Sequence, residues 1–283
     1  MRPGEESQTA ILVCMSRALA DSDDSIPWFR DPTAFELLPD DARERVTAIR
    51  EERPGESAKD VVFRRYLRRQ AKVVAARTQA IDDVVRSASF DQVVLLGAGL
   101  DGRGYRLDTL ADAIVYEVDH PDSQARKRER ARRLRPVGRE IRFVAVDFAS
   151  DDLNDALTAA GHDPGLSTVW VWEGVVMYLD VPTIEVTLDV IAQRSAPGSR
   201  IALLYTSRSP MVHVVNLLVK RLGEPFRSSF RPVSMRRLLG RYGFGVDDDR
   251  SLDRIGAGLG TPTAEATARV TRHQRIASAT KHG

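Results

Sequence analysis

From Val93 to Leu107 the chain reads VVLLGAGLDGRGYRL, an apolar run that stops at a glycine-rich turn. From this point on, apolar segments of strand length alternate with segments of helical period, and that alternation leaves few folds open. It predicts a parallel, doubly wound α/β sheet with right-handed crossovers and helices on both faces. The predicted strands are Gln92–Leu96, Ala113–Val118, Ile141–Val146, Ser167–Trp172 and Ser199–Tyr205. The helices between them are Gln124–Leu134, Asp151–Ala160 and Pro182–Ser195, with Asp151 and Asp152 at the end of their helix that favours acids. Pro197-Gly198 marks a turn. Ser207 to about Arg231 interrupts the alternation: HVVNLLVKRLG, between Pro210 and Pro225, predicts an inserted lid helix over the sheet edge. Val233–Arg241 reads as a further helix, and Phe244 onward and Ala268–Ala277 as two closing strands.

Upstream the pattern is helical. SQTAILVCMSRALAD has apolar residues at helical spacing. IPWFRDPTAFELLP reads as loop and turn, punctuated by Pro27, Pro32 and Pro39. Asp60–Arg86 reads as one long amphipathic helix or a pair. The expected organisation is a helical cap over residues 1–88 and a core over 89–283, with the lid insertion at about 207–231.

Composition narrows the partners. The 42 basic and 40 acidic residues leave a net charge of +2, which makes no electrostatic case for nucleic acid. The local basic groups, Arg64, Arg65, Arg68 and Arg69 and the run Arg126–Arg135, read as solvated helix faces, and no aromatic interleaves the second. The single cysteine, Cys14, excludes an internal disulfide and a cysteine metal cage, and is expected to pack in an apolar helix. AILVCM is too short for a signal core or a membrane span, so the expectation is a cytoplasmic protein with no membrane contact.

In open α/β sheets ligands bind beyond the carboxyl ends of the strands, so the residues there carry the chemistry. After the first strand comes GAGLDG, after the second Glu117 and Asp119, after the third Asp147-Phe148, and after the fourth Glu173-Gly174. Gly97 and Gly99 let a backbone turn sharply and approach a ligand closely. An acid after the second strand suits a ribose diol. An acid after the third suits the exocyclic amine of adenine, with Phe148 placed to pack on the base. Together these point to an adenosine ligand. Asp119, Asp147 and Glu173 equally suit helix caps, and Gly97 and Gly99 a plain strand–helix turn.

Gly97, Gly99 and Gly102 also spell the dinucleotide fingerprint. Asp101 argues against a dinucleotide, because a carboxylate there repels a pyrophosphate. It attracts instead the ammonium and sulfonium charges of S-adenosyl-L-methionine. The acids are spread over successive strand ends, not clustered with histidine, so no metal site is expected.

LLGAGLDGRGYRL, VYEVDHP, VAVDF, VWEGVVMYL and SAPGSRIAL, with SQTAILVCMSRALA, RDPTAF and ARTQAIDDVV upstream, resemble the leucine carboxyl methyltransferase family. More narrowly, they are similar to its bacterial S-adenosyl-L-methionine-dependent branch, which includes carboxyl O-methyltransferases of aromatic polyketide (antibiotic) pathways. The resemblance runs to about Leu204. It implies a class I methyltransferase sheet, Rossmann-like, with a helical N-terminal cap and an inserted lid. It also implies that Arg77 meets the cofactor's carboxylate, Gly97 its methionine part, Asp119 the ribose, Asp147 and Phe148 the adenine, and Glu173 the methionine end or ribose. The same resemblance makes the reaction an O-methylation of a small carboxylic acid. The alternatives are a phenol or hydroxyl acceptor on the same fold, a cofactor-binding module with lost or altered catalysis, and a nicotinamide oxidoreductase.

The chain departs from the family in two places. The usual Asp-Thr-Arg-Ala-Tyr-Arg is Asp101-Gly102-Arg103-Gly104-Tyr105-Arg106, whose two glycines are expected to loosen the loop, and the usual glutamine before Pro121 is His120. Tyr105, Tyr178 and His213 are the candidates on the substrate side, with Arg103, Arg106, Arg208 and Lys220 as candidate partners for an acidic substrate; Arg103 and Arg106 equally suit a place behind the site or a pairing with Asp101. The apolar lid residues Met211, Val212, Val214, Val215, Leu217 and Leu218 suit an apolar substrate, and equally core packing or a homodimer.

Overall fold

The computed structural model describes residues 7–55, 57–148, 150–208, 225–268 and 271–283. Its seven strands are β1 (Gln92–Leu96), β2 (Ile114–Asp119), β3 (Glu140–Ala145), β4 (Thr168–Trp172), β5 (Arg200–Thr206), β6 (Phe244–Ser251) and β7 (Gln274–Lys281). They form one sheet in the order β3-β2-β1-β4-β5-β7-β6. β1 to β5 are parallel, and β7 runs antiparallel between β5 and β6. The chain grows outward from β1 through β2 to β3, then returns to place β4 on the other side of β1. A crevice opens above the point where the direction reverses.

The first strand lies where the apolar run predicts it, and the next four differ from their expected bounds by about a residue at either end, as strand ends do. The last strand is the exception. It spans Gln274–Lys281, not Ala268–Ala277, because TPTAEAT winds into a helix with Pro262 in its first turn. Ala277 and Ala279, both fully buried, suit a strand enclosed by two neighbours. The edge strand β6 carries Asp247, Asp248 and Asp249 and a register shift between Val246 and Asp248, features that discourage edge-to-edge pairing.

The helices in chain order are α1 (Gln8–Asp21), α2 (Thr33–Leu37), α3 (Asp40–Arg50), α4 (Ala58–Arg86), α5 (Arg103–Arg106), α6 (Pro121–Ala131), α7 (Leu153–Ala159), α8 (Val181–Gln193), α9 (Pro232–Arg241), α10 (Leu252–Ala257) and α11 (Thr261–Thr267). One sheet face is covered by α7, α8 and α9, whose Leu157, Leu188, Ile191 and Leu239 share a core with Trp170 and Trp172. The other is covered by α4, α10 and α11 through Ala76, Ile81, Val85, Leu252, Ile255 and Ala266. A third cluster joins α1, α2 and α3 to Leu67, Ala71 and Ala75 of α4, and takes in Leu100 and Tyr105 from the glycine loop.

Helix α4 therefore serves two cores. It is a single helix of 29 residues, about 44 Å long, started by Ser57 Oγ accepting from Asp60 N at 3.2 Å. Helix α2 lies inside the segment read as loop, where the Asp31 carboxylate accepts from Ala34 N at 3.1 Å and turns the chain just after Pro32. Among the described residues no helix is long and apolar enough to cross a membrane. The predicted lid helix lies outside the described residues. Of that segment, Phe230 N donates to Thr206 O at 2.9 Å.

At the opposite end of the sheet from the crevice, His162 is packed between Tyr116 and Trp170, with ring centroids 5.3 Å from each. Burial, then the nearby Arg194, pushes its imidazole down from 6.5 to about 4. Between those two values the unfolded chain holds a proton that the folded chain refuses, so stability falls as the pH is lowered through this window and levels off below it. A shift of that size corresponds to about 3 kcal/mol at most. Urea unfolding at a series of pH values is expected to show this slope, and His162→Gln to flatten it. An unchanged slope in the variant would assign the acid sensitivity to other groups.

Candidate functional site

The ends of β1, β2, β3 and β4 meet at the crevice, and short polar contacts run from one to the next. Gly97 leaves β1 with φ at +68°, and a Cβ there would overlap the side chain of Val175. Only glycine satisfies both the angle and the space. Ala98 N donates to Val118 O at 2.9 Å, pinning the loop to β2. Gly99 N donates to Asp119 Oδ2, and His120 N donates to Asp119 Oδ1 at 2.6 Å. Burial raises the Asp119 carboxyl above its usual range, against the opposing pull of these two N–H donors.

His120 is the N-cap of α6, its ring Nδ1 accepting from Asp122 N at 3.3 Å, while Nε2 lies 4.0 Å from Asp147 Oδ2. The N-cap of α7 is Asp152. Capping duty in these two loops thus falls to His120 and Asp152, not to Asp119 or Asp147. Asp147 stands half-exposed at the crevice beside the partly buried Phe148.

Beyond β4, Glu173 is gripped from two sides. Arg77 Nε of α4 donates to its Oε1 at 2.7 Å, and Arg103 Nη2 lies 2.8 Å from its Oε2. Arg77 is thus turned inward from the helix surface, with 11% of its side chain exposed. Its two terminal amino groups have no hydrogen-bond partner among the described residues. Arg103 also donates through Nε to Asp82 Oδ1 at 2.7 Å, and pairs with Asp101. Asp82 Oδ2 accepts from Arg106 Nη1 at 2.6 Å, Arg106 Nε lies 3.5 Å from Asp31, and Asp31 accepts from Arg17 at 2.9 Å.

Four arginines and four carboxylates thus form one continuous, charge-balanced network between the cap and the strand ends. Burial opposes the charge on Arg103, but Asp101, Glu173 and Asp82 outweigh it and hold its pKa well above the ordinary value. Burial likewise opposes ionisation of Glu173 and Asp101, and the arginines outweigh it in both, keeping both carboxyls below their usual range.

Several expected placements change. Asp101 does not keep its charge free for a ligand: its carboxylate takes the backbone N–H of Arg103 at 2.8 Å and the Arg103 guanidinium. Of the two readings open for Arg103 and Arg106, the structure takes the one that pairs them inside the protein, Arg103 with Asp101, and only 2% and 5% of their side chains are exposed. The two glycines that depart from the family pattern stand in crowded places. A Cβ on Gly102 would overlap the hydroxyl of Thr33, and one on Gly104 would come within 2.9 Å of Ile141 Cδ1. Both glycines are points where neighbouring elements press in.

Tyr105 is buried in the cap cluster, not aimed at the crevice, and borders a cleft of about 690 Å³ between α6 and β3. Under α6 a buried pair, Lys127 Nζ and Glu117 Oε2, meets at 2.9 Å. Tyr178 follows β4 in a short 3-10 turn, with its ring 5.6 Å from that of Phe226. His213, Lys220 and the apolar lid residues Met211, Val212, Val214, Val215, Leu217 and Leu218 lie outside the described residues, and Arg208 is exposed. Cys14 is fully buried, its thiol pushed up to about 12 by burial and donating to Ala34 O at 3.1 Å, which suits packing and not nucleophilic chemistry.

The sequence profile of the leucine carboxyl methyltransferase family matches residues 10–192, which includes all four strand ends. The chain belongs to the leucine carboxyl methyltransferase family. Two proteins similar to this chain are named as candidate S-adenosyl-L-methionine-dependent methyltransferases. One, from Frankia alni, is 34% identical over 203 residues, covering 71% of this chain and 68% of its own. The other, from Mycolicibacterium smegmatis, is 35% identical over 223 residues, covering 76% and 71%. The fold is also that of magnesium protoporphyrin IX methyltransferase from Synechocystis PCC 6803, solved with bound S-adenosylhomocysteine. The TM-score is 0.51 at 14% identity, with 86% of this chain and 95% of that chain covered. The architecture is the class I methyltransferase sheet with both closing strands in place.

Arg17, Asp31 and Asp82 are members of this charge network to which the sequence reading gave no role. Each lies in a stretch that carries the family resemblance. The missed signal was a charge on an apolar helical face: Arg17 stands between Cys14 and Ala18, and Asp82 shares a face with Thr78 and Val85. A charge in such a position is buried, and a buried charge needs partners.

Proposed function

We propose that the protein transfers a methyl group from S-adenosyl-L-methionine to the carboxylate of a small aromatic, polyketide-like acid. The observation that carries this reading is the row of ligand-ready groups at four successive strand ends, Gly97–Gly99, Asp119, Asp147–Phe148 and Glu173, with Arg77 held against the last of them. The cofactor is S-adenosyl-L-methionine. The Asp119 carboxylate spends two of its roughly four acceptor sites on Gly99 N and His120 N, which leaves two for a ribose diol. Asp147 and Phe148 serve the adenine. The terminal amino groups of Arg77 take the cofactor's carboxylate while its Nε stays on Glu173, and Glu173 faces the ammonium. Gly97 allows the close backbone approach. When bound, the sulfonium supplies an electrophilic methyl group.

The chain's own part is alignment and exclusion of water. A carboxylate acceptor is already ionised near neutral pH, so no proton has to be removed. A phenol would benefit from a base. Among the described strand-end residues the imidazole is that of His120, committed to the cap of α6 and facing Asp147 on the adenine side. This favours the acid over the phenol. The rings of Tyr178 and Phe226, tilted against each other beside Met177, offer an aromatic wall for a flat apolar acceptor.

Calorimetric titration is expected to show micromolar binding of S-adenosylhomocysteine and none of NAD. Incubation with labelled cofactor and a panel of aromatic acids is expected to give a methyl group released as methanol by mild base. A base-stable methyl product would move the acceptor to a phenol, and binding of NAD alone would overturn the cofactor.

A further inference from the structure

The stretch RDPTAF lies in the cap, and nothing in the proposed reaction uses it, yet its acid is the most enclosed in the network. Asp31 has no exposed surface. Its Oδ1 accepts from Thr33 Oγ1 at 2.6 Å and from Ala34 N at 3.1 Å. Its Oδ2 accepts from Arg17 Nη1 at 2.9 Å and stands 3.5 Å from Arg106 Nε. The two arginines reach opposite ends of the glycine loop. Arg17 donates its other terminal amino group to the carbonyl of Leu100. Arg106 closes the loop and passes the connection through Asp82 to Arg103, which holds Asp101 and Glu173.

One cap carboxylate therefore spans the loop from Leu100 to Arg106. The hydroxyl of Thr33, fixed by the same carboxylate, sits where a side chain on residue 102 would begin. The family pattern has threonine at that place, and here it is glycine.

We infer that Asp31 and Thr33 are positioning residues of the cofactor site, Asp31 bracing the loop 97–106 through Arg17 and Arg106, and Thr33 filling from the cap the space that Gly102 leaves empty. The inference rests on the proposed reading of that loop as the cofactor loop. Its physical basis is over-determination. A loop with glycine at 97, 99, 102 and 104 has a large conformational entropy to lose, and a cofactor that had to order it would bind more weakly by that amount. A hydrogen bond from Arg17 at Leu100, an ion pair at Arg106 and a steric contact between them at Gly102 leave little to order when the cofactor arrives. Because the bracing groups come from a separate helical layer, the docking of the cap and the readiness of the site become one event.

The test uses the whole chain and two kinds of variant. In Asp31→Asn, amide hydrogen exchange without ligand is expected to accelerate about tenfold over residues 99–106, while the amides of β4 and β5 keep wild-type protection. The Kd for S-adenosylhomocysteine is expected to rise about tenfold. Gly102→Thr alone is expected to do the same, because its side chain collides with Thr33, and the pair Thr33→Gly with Gly102→Thr to return to within about threefold of wild type. If Asp31→Asn does not fold, this pair decides.

Wild-type exchange in the loop of Asp31→Asn, or a loss of protection spread evenly over β4 and β5, would overturn the bracing role. Losses that add in the pair instead of cancelling would overturn the exchange of places between Thr33 and residue 102. A wild-type protein that binds no S-adenosylhomocysteine would refute the functional reading, while the exchange measurement would still judge the positioning role.

Discussion

Arg103→Leu is expected to lower the stability of the protein by about 3–5 kcal/mol, the range for removing one partner from a buried ion pair. The arginine itself is 2% exposed and holds three carboxylates, of which Asp82 is 1% and Glu173 13% exposed. Without it those acids either stay charged in a poorly solvated place or take up protons, and both cost free energy. Arg103→Lys keeps the charge but not the fork that reaches Asp82, Asp101 and Glu173 together, so an intermediate loss is expected. Chemical denaturation with a shared slope for the three proteins measures the difference.

The pH dependence gives a second reading of the same variant. Asp101 and Glu173 are held below their ordinary values in the folded protein, so the stability they contribute is present above the unfolded carboxylate range and is lost as pH falls toward their folded values. In Arg103→Leu that acid limb should largely disappear. A loss below about 1 kcal/mol with an unchanged acid limb would mean that the network is carried at break-even, as some buried ion-pair clusters are.

Asp119→Ala is expected to weaken S-adenosylhomocysteine binding by about a hundredfold, roughly 3 kcal/mol. That figure follows from losing two hydrogen bonds from ribose hydroxyls to a charged acceptor. The same substitution removes the acceptor for Gly99 N and His120 N, so part of the effect would come through the loop and the start of α6. Asp119→Asn separates the two contributions, since it keeps an acceptor oxygen and loses the charge. Asp147→Ala is expected to cost only about tenfold, because that carboxylate stands half-exposed and its bonds compete with water. Calorimetry on the four proteins checks the order. Equal losses at 119 and 147, or none at 119, would sink the assignment of Asp119 to the ribose. Burial raises the Asp119 carboxyl, so wild-type affinity should begin to fall at a higher pH than an ordinary aspartate would dictate.

Some of this was legible in the residues and some was not, and particular elements show why. β1 to β5 and the acids that close them could be read because a strand followed by a turn and an acid is a local pattern, complete within a few residues. β7 could not be placed. RIASAT is mild in composition, and its strand character comes from lying between β5 and β6. The glycines at 102 and 104 were read as freedom because a sequence shows what is missing from a residue and not what stands beside it. In the fold Thr33 and Ile141 stand there. Asp101 could be read as a charge kept for a ligand or as a partner of Arg103, because Arg103, two residues on, could point anywhere until Asp82 and Glu173 fixed it.

The chain by itself determined the alternation of strands and helices from β1 to β5, the place of the crevice, the family, and which residues stand at those strand ends. All of these follow from periodicity and short motifs, whose information is contained in neighbouring residues. Only the tertiary structure decided which of those charges face a ligand and which are consumed inside the protein. Arg77 and Glu173 lie 96 residues apart and Arg17 and Leu100 lie 83 apart, yet each pair is in contact. The ionisation and accessibility of a buried charge depend on the partners within a few ångströms of it, and those are set by packing between layers, which no local pattern records.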